Sequence, residues 1–456
     1  MIDLSAFRGR RIGIVGLGKT GETSMHALRE SGAQVAVWDD SLLKREMAKT
    51  QGFEILELEI LKPEFLLWSP GIPHYGANAH PLAIKAKELG IPLFCDIELF
   101  SQGVSNDVLA ITGTNGKSTT TALLAHTLSK FRSVEMGGNI GKPVLELDKI
   151  EDNGSYILEL SSYQLELAPS LKPAGAILLN ITPDHLARHG NMEAYIKAKE
   201  NIFASVQAAP HKPVAVIAID GDITKRIAER LKAEGNWNVI SVSTQDKASV
   251  YVESGKLYDG EIQVMDLSLM PSLKGRHNHE NAACAYALIR HVYGYEPEKI
   301  AASMGSFQGL PHRQHLVRTI NGISYVNDSK ATNAEAVSHA LACTKNIYWI
   351  AGGQPKEGGL HGLENYMERI THAFLIGEAA DEFAKWLKTS DVPYTICGTL
   401  DVAVREAHKI AQGNRGMPGE PGTVLLSPAC ASWDQFTSFE HRGDVFTQLV
   451  KNLPEE

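Results

Sequence analysis

The chain has 456 residues, a formal net charge of −9 at pH 7, 43% hydrophobic residues and 21% charged residues. This length predicts two to four domains rather than one core, and the acidic balance argues against nucleic acid as a partner. No apolar stretch approaches the ~20 residues that a membrane helix needs, so we expect no membrane partner.

The start of the chain and its cysteines indicate a cytoplasmic protein. The apolar run in "MIDLSAFRGRRIGIVG" is short and predicts a first strand rather than a signal peptide. Five cysteines are spread along the chain without a C-x-x-C pair, which favours reduced thiols over a disulfide framework or a zinc site.

Short apolar runs that end in Gly, Asp, Asn or Ser alternate with helical patterns along the chain. They are RIGIVG (11–16), VAVWDD (35–40), FLLWSPG (65–71), VLAITG (108–113), YILELSS (156–162), AILLNIT (176–182), VAVIAIDGD (214–222), IYWIAGG (347–353), AFLIG (373–377) and VLLSPA (424–429). This pattern is typical of buried parallel strands with functional residues at their carboxyl ends. Residues 249–267 instead show an alternating pattern and carry Ser-Gly and Asp-Gly turns, which predicts an antiparallel hairpin or meander.

The chain is therefore predicted to be α/β with three domains. "CDIELFSQGVSND" (95–107) and "FQGLPHRQH" (307–315) mark the two boundaries. We expect a Rossmann-like N-terminal domain at 1–96, and a P-loop-type ATPase domain at 97–309 with a mostly parallel sheet and a small antiparallel part. A Rossmann-like C-terminal domain is expected at 310–456.

The first glycine-rich loop follows the first predicted strand. Gly16, Gly18 and Gly21 fit the G-x-G-x-x-G pattern, and the next strand ends in Asp39 and Asp40. Such a loop lets the backbone approach a diphosphate at a helix N-terminus. The pattern leaves three interpretations open: a dinucleotide, a nucleotide-sugar diphosphate, or a plain tight turn.

The second glycine-rich loop, "TGTNGKS" at 112–118, also lies between a predicted strand and a predicted helix. It departs from G-x-x-x-x-G-K-[ST] because two residues separate Gly113 from Gly116. Backbone N–H groups would still hold phosphate oxygens, Lys117 would reach the β and γ oxygens, and Ser118 would offer a hydroxyl to Mg²⁺. Leu124, Leu128 and Phe131 are expected on one face of the following helix.

Three later positions support a nucleotide site. Glu159 ends an apolar strand, where P-loop proteins place a metal-binding carboxylate. His185 follows another strand, and Lys197 and Lys199 lie on a predicted helix. Taken alone, a histidine or lysine is usually surface.

Together these stretches resemble the Mur ligase family, ATP-dependent enzymes that form amide bonds in peptidoglycan precursors. The resemblance rests on "TGTNGKSTTT" (112–121), "GLPHR" (309–313), "NDSKATN" (327–333) and "LSPACASWDQFTSFEHRG" (426–443). It implies a ligase that adds D-glutamate to UDP-N-acetylmuramoyl-L-alanine (UDP-MurNAc-L-Ala) through an acyl phosphate. In such an enzyme the first loop holds the uridine diphosphate of the substrate and the second holds ATP.

The resemblance also implies the site residues. Those for the uridine nucleotide substrate are Gly18, Lys19, Thr20, Asp39, Asp40, Ser69, Gly71 and Asn139, with Ser161 and Gln164 beside the acceptor. Those for ATP are Gly113, Thr114, Asn115, Gly116, Lys117, Ser118, Thr119, Asn278, Asn281, Arg313 and Asp328. Those for D-glutamate are Thr332, Lys356, Ser432 and Phe439. Two Mg²⁺ ions are implied at Ser118, Glu159, His185 and Lys199, and catalytic roles at Lys117, Glu159, His185, Lys199 and Lys330.

The resemblance further implies a CO₂-derived carbamate on Lys199, because family lysines at the Y-x-x-A-K position carry one. Spacing from Tyr195 selects Lys199 over Lys197. Carbamylation needs a neutral amine and therefore a depressed pKa. The expected partners are the three small-molecule substrates, and the expected state is a monomer.

Three other functions would explain part of the sequence. Another Mur ligase or a folylpolyglutamate synthase-like ligase shares the ATP loop. A nicotinamide dehydrogenase would explain residues 12–40 and leave the second loop unused. A non-catalytic nucleotide switch would explain the second loop and Glu159 but no amino-acid pocket.

Overall fold

The computed structural model describes residues 2–204, 212–356, 358–415 and 421–455. The chain divides into two compact units. The first contains Met1–Ser268 and Arg276–Phe307, and the second contains Leu269–Gly275 and Gln308–Glu456.

The first unit begins with a five-stranded parallel sheet in the order β3-β2-β1-β4-β5. Its strands are β1 (Arg11–Val15), β2 (Gln34–Trp38), β3 (Glu54–Ile55), β4 (Phe65–Trp68) and β5 (Leu93–Phe94). Its helices are α1 (Lys19–Glu30), α2 (Leu42–Thr50), α3 (Leu58–Leu61), α4 (Pro81–Glu88) and α5 (Asp96–Gly103). The strand order reverses between β1 and β4, and open α/β sheets bind ligands beyond such a switch point.

A nine-stranded sheet completes the first unit, in the order β14-β13-β12-β11-β10-β9-β6-β8-β7. Its strands are β6 (Asp107–Thr112), β7 (Val134–Gly138), β8 (Ser155–Glu159), β9 (Gly175–Leu178), β10 (Val214–Ala218), β11 (Asn238–Ser243), β12 (Val250–Glu253), β13 (Lys256–Asp259) and β14 (Ile262–Asp266). The pairs from β7 to β12 are parallel, and β12, β13 and β14 pair antiparallel.

The helices of this sheet are α6 (Lys117–Leu128), α7 (Ser162–Leu165), α8 (Leu186–His189), α9 (Met192–Glu200), α10 (Asp222–Glu234), α11 (Arg276–Tyr293) and α12 (Pro297–Met304). Because β6 lies between β8 and β9, the loops that follow these three strands meet at one edge of the sheet. Helix α6 ends at Leu128, so the expectation that Phe131 continues its buried face is wrong. Phe131 lies beyond the helix and stacks on Tyr295, with ring centroids 4.4 Å apart.

The second unit holds a six-stranded sheet in the order β15-β16-β20-β17-β18-β19. Its strands are β15 (His315–Ile320), β16 (Ile323–Asn327), β17 (Ile347–Gly352), β18 (Ile370–Ile376), β19 (Tyr394–Gly398) and β20 (Thr423–Leu426), and its helices are α13 (Ala334–Cys343), α14 (Ala380–Lys388), α15 (Leu400–Gly413) and α16 (Phe439–Lys451). Only the pair of β15 and β16 is antiparallel among the described strands of this sheet. Alternate β17 residues enter two hydrophobic clusters, Trp349 in one and Ile350 in the other, so helices cover both faces.

These sheets confirm the predicted three-domain α/β architecture, the ten predicted strands and the antiparallel meander. The residue bounds of the three domains stay a prediction. All five cysteines are free. Within the described ranges, no helix combines the length and apolarity required to cross a bilayer.

Candidate functional site

The first glycine loop is built by close backbone contacts after β1. Gly16 has φ +93°, and a side-chain carbon there would lie 2.6 Å from Ser69 Cβ in the loop after β4. A side-chain carbon on Gly21 would overlap the Gly16 carbonyl oxygen. Gly18 caps α1, and no atom lies within 4 Å of where its Cβ would be. The helix N-terminus therefore faces open space that suits an anion.

The two aspartates after β2 have different surroundings. Asp39 accepts hydrogen bonds from the backbone N–H groups of Leu17 (2.7 Å) and Ser41 (2.9 Å), so its carboxylate braces the glycine loop. Burial opposes the charge of Asp39, but these bonds and Lys44 outweigh it and lower the pKa of the carboxyl. Asp40 lies 3.0 Å from His80 Nε2 and is mostly exposed.

The second glycine loop joins β6 to the 12-residue helix α6. Lys117, the first residue of α6, donates from Nζ to the carbonyl oxygens of Gly113 (2.9 Å) and Thr114 (2.7 Å). Gly116 has φ +86°, and a side-chain carbon there would overlap Asn281 Oδ1. Asn281 itself is buried and donates to Asn278 Oδ1 at 3.2 Å. The two asparagines predicted for ATP thus pack behind the loop.

Lys199 is the second lysine on this loop. It is 2% exposed, and its Nζ donates to the same Gly113 carbonyl at 2.7 Å. Burial and the neighbouring Lys117 charge lower the pKa of Lys199 to about 7, with Asp184 opposing them. A large share of Lys199 is therefore a neutral amine near pH 7, the form that carbamylation requires.

Glu159 ends β8 beside the loop and is 3% exposed. Its Oε1 accepts from Asn139 Nδ2 at 2.9 Å, whereas its buried Oε2 has no hydrogen-bond partner among the described residues. A buried carboxylate oxygen without a donor fits a cation. No three His, Cys, Asp or Glu residues cluster as a metal site in the described ranges, so a Mg²⁺ ion would need hydroxyl, phosphate or carbamate oxygens as well.

A cavity of about 530 Å³ opens between the two loops within the first unit. Nine of the predicted site residues line it: Lys19, Thr20, Gly71, Lys117, Asn139, Ser161, Gln164, His185 and Lys199. Lys19 crosses to the loop after β7, where its Nζ donates to the Gly141 carbonyl at 3.2 Å. Six of the nine were predicted for the uridine substrate or its acceptor, and Lys117 was predicted for ATP, so both loops contribute to one space.

The second unit carries the remaining predicted residues. Asp328 is buried and accepts from Ser427 Oγ (2.7 Å) and the Gln314 N–H (3.1 Å), and burial raises the pKa of its carboxyl to about 7. Lys330 Nζ lies 4.3 Å from the ring centroid of Phe439.

The residues predicted for D-glutamate also lie in this unit. Lys356 Nζ donates to Thr332 Oγ1 at 3.3 Å, and Ser432 is buried. Arg313, predicted for ATP, is half-buried beside His312.

Comparisons with known proteins identify the family. Residues 111–289 match the Mur ligase middle domain. The chain is 47% identical to a UDP-N-acetylmuramoylalanine–D-glutamate ligase from Rhodospirillum rubrum, covering 99% of this chain and 97% of that one. It is 48% identical to one from Paramagnetospirillum magneticum, covering 99% and 98%.

The chain belongs to the Mur ligase family, among the UDP-N-acetylmuramoylalanine–D-glutamate ligases. This confirms the resemblance found in the sequence. A UDP-N-acetylmuramate-alanine ligase from Thermotoga maritima has the same fold at 16% identity, with a TM-score of 0.58 over 97% of this chain and 99% of that one.

Some predicted residues of this Mur ligase lie outside the cavity. Gly18, Asp39, Asp40 and Ser69 surround the first loop without lining the space. Ser118 and Glu159 are buried and do not line it. Their predicted roles in binding stay predictions.

Sequence reasoning missed the polar cluster behind the cavity wall. His189 Nε2 lies 2.9 Å from Ser162 Oγ, and its Nδ1 lies 3.2 Å from Glu166 Oε1. Tyr75 donates to the same Glu166 oxygen at 2.6 Å, which ties the loop after β4 to α7. Burial lowers the pKa of His189 to about 4, so it is neutral at physiological pH.

Asn180 was also missed. Its Oδ1 accepts from the Asn115 N–H (2.8 Å), its Nδ2 donates to the Asn115 carbonyl (3.2 Å), and its carbonyl accepts from the Thr114 N–H (2.8 Å). These bonds fix the second loop. Asn180 is the first polar residue of the predicted strand run AILLNIT, and that position was the only signal for it in the sequence.

Proposed function

We propose that this chain is an ATP-dependent ligase that adds D-glutamate to UDP-MurNAc-L-Ala and releases ADP and phosphate, in cytoplasmic peptidoglycan precursor synthesis. The observation that carries the proposal is the cavity shared by both glycine loops. A redox enzyme needs one nucleotide, whereas a ligase with a nucleotide-linked substrate needs two anion sites that meet.

The chemistry requires that shared space. A carboxylate and an ammonium do not condense in water, so the carboxylate must first be activated. The L-alanyl carboxylate oxygen attacks the γ-phosphorus of ATP, the bond to the bridging oxygen breaks, and ADP leaves. The D-glutamate amine then attacks the acyl carbon, loses a proton, and displaces phosphate. In-line transfer demands that the two anions be held within contact distance.

Side chains of the first unit would offset this negative charge. Lys117 at the start of α6 would contact the β and γ oxygens, and the backbone N–H groups of the second loop would bind the remaining oxygens. Ser161 and Gln164, which form a capping box at α7, would orient the acceptor carboxylate. His185, which lines the cavity, is the candidate to orient or accept the proton of the amine.

Mg²⁺ would neutralise phosphate charge and polarise the transferring group when bound. Ser118 and Glu159 would hold one ion, in agreement with the unpartnered Glu159 oxygen. His185 and a carbamylated Lys199 would hold a second. The lowered pKa of Lys199 fits this role, since an ammonium there would repel a cation.

Residues of the second unit would bind the amino acid and ATP. Lys356 and the hydroxyls of Thr332 and Ser432 would fix the glutamate carboxylates. Phe439 would pack against the glutamate carbon chain.

For ATP we propose Arg313, Asp328 and Lys330 in this unit, together with Asn278 and Asn281 in the first. The protein is proposed to work as a monomer with these small molecules as its partners.

The test offers ATP and UDP-MurNAc-L-Ala with a panel of amino acids and measures phosphate release. We expect release only with D-glutamate. Release with another amino acid would favour a different Mur ligase or a folylpolyglutamate synthase-like enzyme. Release that needs no amino acid would favour a nucleotide switch.

A further inference from the structure

Arg442 is the largest buried charge in the second unit whose role the proposed function leaves open. It lies in the first turn of α16 and is 0% exposed. Among residues 2–204, 212–356, 358–415 and 421–455, no carboxylate comes within 4 Å of it. Burial lowers the pKa of Arg442 only to about 10, so it stays charged at neutral pH. A buried and unpaired charge costs several kcal/mol unless hydrogen bonds compensate for it.

Its hydrogen bonds go to two loops. Nε donates to Ser329 Oγ at 3.0 Å, and Nη2 donates to the carbonyls of Ser329 (2.9 Å) and Cys430 (3.1 Å). Nη1 donates to the Ala431 carbonyl at 3.2 Å. The Ser329 hydroxyl in turn donates to the Phe439 carbonyl at 2.8 Å.

These acceptors lie one or two residues from Lys330, proposed for ATP, and from Ser432, proposed for D-glutamate. Ser329 precedes Lys330, and Ala431 precedes Ser432. Ala431 exchanges two backbone hydrogen bonds with Gln354, at 3.0 and 3.1 Å, two residues before Lys356.

Gly353 lets this third loop approach the guanidinium. A side-chain carbon at Gly353 would lie 3.1 Å from Arg442 Nη1 and would overlap the Ala431 carbonyl. The guanidinium therefore lies where the three loops that carry Lys330, Lys356 and Ser432 meet.

We propose that Arg442 is a positioning residue for the D-glutamate site. It holds the carbonyls of Ser329, Cys430 and Ala431 toward itself. Because a trans peptide points its N–H opposite to its C=O, the Ser432 N–H then points away from the guanidinium and is free to donate to a glutamate carboxylate. The planar guanidinium is needed, since one ammonium cannot reach four acceptors that are spread over Nε, Nη1 and Nη2. This inference rests on the proposed function.

The test compares Arg442→Met, Arg442→Lys and a control, Arg405→Met. Arg405 is exposed on α15 and pairs with Asp401 one turn away, so its loss should leave every constant unchanged. We expect Arg442→Met to raise the KM for D-glutamate at least tenfold while the KM for UDP-MurNAc-L-Ala changes less than threefold. Arg442→Lys should recover less than half of the loss, because it restores charge without the planar guanidinium.

A purely structural role would lower the melting temperature and change both KM values together, or neither, and either pattern would overturn the proposal. If Arg442→Met does not fold, the KM for D-glutamate of the variant Ser329→Ala tests the proposal instead. It removes the Nε acceptor and the bond to Phe439 and should raise the KM for D-glutamate about three- to tenfold. An unchanged KM in Ser329→Ala would overturn the proposal. Wild-type enzyme that ignores D-glutamate would instead contradict the proposed function, so the two failures are distinguishable.

Discussion

Replacing Gly116 with alanine should damage ATP binding far more than it damages folding. Gly116 has φ +86°, where an alanine is strained by about 1–2 kcal/mol. The new methyl would also overlap Asn281 Oδ1 and lie 3.0 Å from its Cγ. Carbon atoms in ordinary contact are about 3.5–4.0 Å apart, so either the glycine loop or the Asn281 side chain must move away by about 0.5–1 Å.

The asparagine cannot easily supply that movement. Asn281 is 2% exposed and its amide is bonded to Asn278, so the glycine loop is expected to move instead. Displacement of a binding loop by about 1 Å can cost on the order of 100-fold. We therefore expect the KM for ATP to rise at least tenfold in Gly116→Ala.

The matched control is Gly52→Ala. Gly52 has φ +82° with no atom within 4 Å of the added carbon, so this variant reproduces the backbone strain without the overlap. Both variants should lose about 1–2 kcal/mol of stability from strain in urea unfolding followed by circular dichroism. Only Gly116→Ala should also lose affinity in an ATP titration.

Equal KM values for ATP in the two variants would refute the reasoning. A double variant of Gly116→Ala with Asn281→Gly tests the overlap directly. If the overlap is real, the pair should lose less stability than the two single variants added together. Strict additivity would show that the methyl never meets the asparagine.

Two further predictions follow from buried ionisable groups. Lys199→Ala should abolish phosphate release, and added bicarbonate should not restore it. The control is Lys197→Ala, which changes an exposed lysine on the same helix and should remain active. Normal turnover by Lys199→Ala would remove the carbamate from the mechanism. Asp328 keeps its proton to about pH 7 when folded but loses it near 3.8 when unfolded, so its contribution to the free energy of unfolding falls as pH rises through this window. Asp328→Asn should flatten that fall between about pH 4 and pH 7 in denaturant titrations, and an unchanged slope would contradict the burial argument.

The strands and both glycine loops were predictable because their signals are local. Each β-strand run is apolar and ends in a turn residue, and the spacing of Gly113, Gly116 and Lys117 describes an anion loop without reference to the rest of the chain. Phe131 shows the limit of such reasoning, since helical periodicity gave no sign that α6 ends at Leu128.

The supporting contacts were not predictable because they join distant segments. Asn180 is 65 residues from the Asn115 amide that it fixes, and Arg442 is 113 residues from Ser329. The motif at 426–443 contains Arg442, but it does not show that the guanidinium is buried. Burial decides its role, and burial depends on how β16, β20 and α16 pack.

The most direct test of the account follows the oxygen atoms. UDP-MurNAc-L-Ala labelled with ¹⁸O in its L-alanyl carboxylate is turned over with ATP and D-glutamate, and the released phosphate is analysed by mass spectrometry. If the carboxylate attacks the γ-phosphorus in the shared cavity, one labelled oxygen appears in the phosphate for each amide formed. Phosphate without label, released alongside the amide, would contradict activation by phosphoryl transfer.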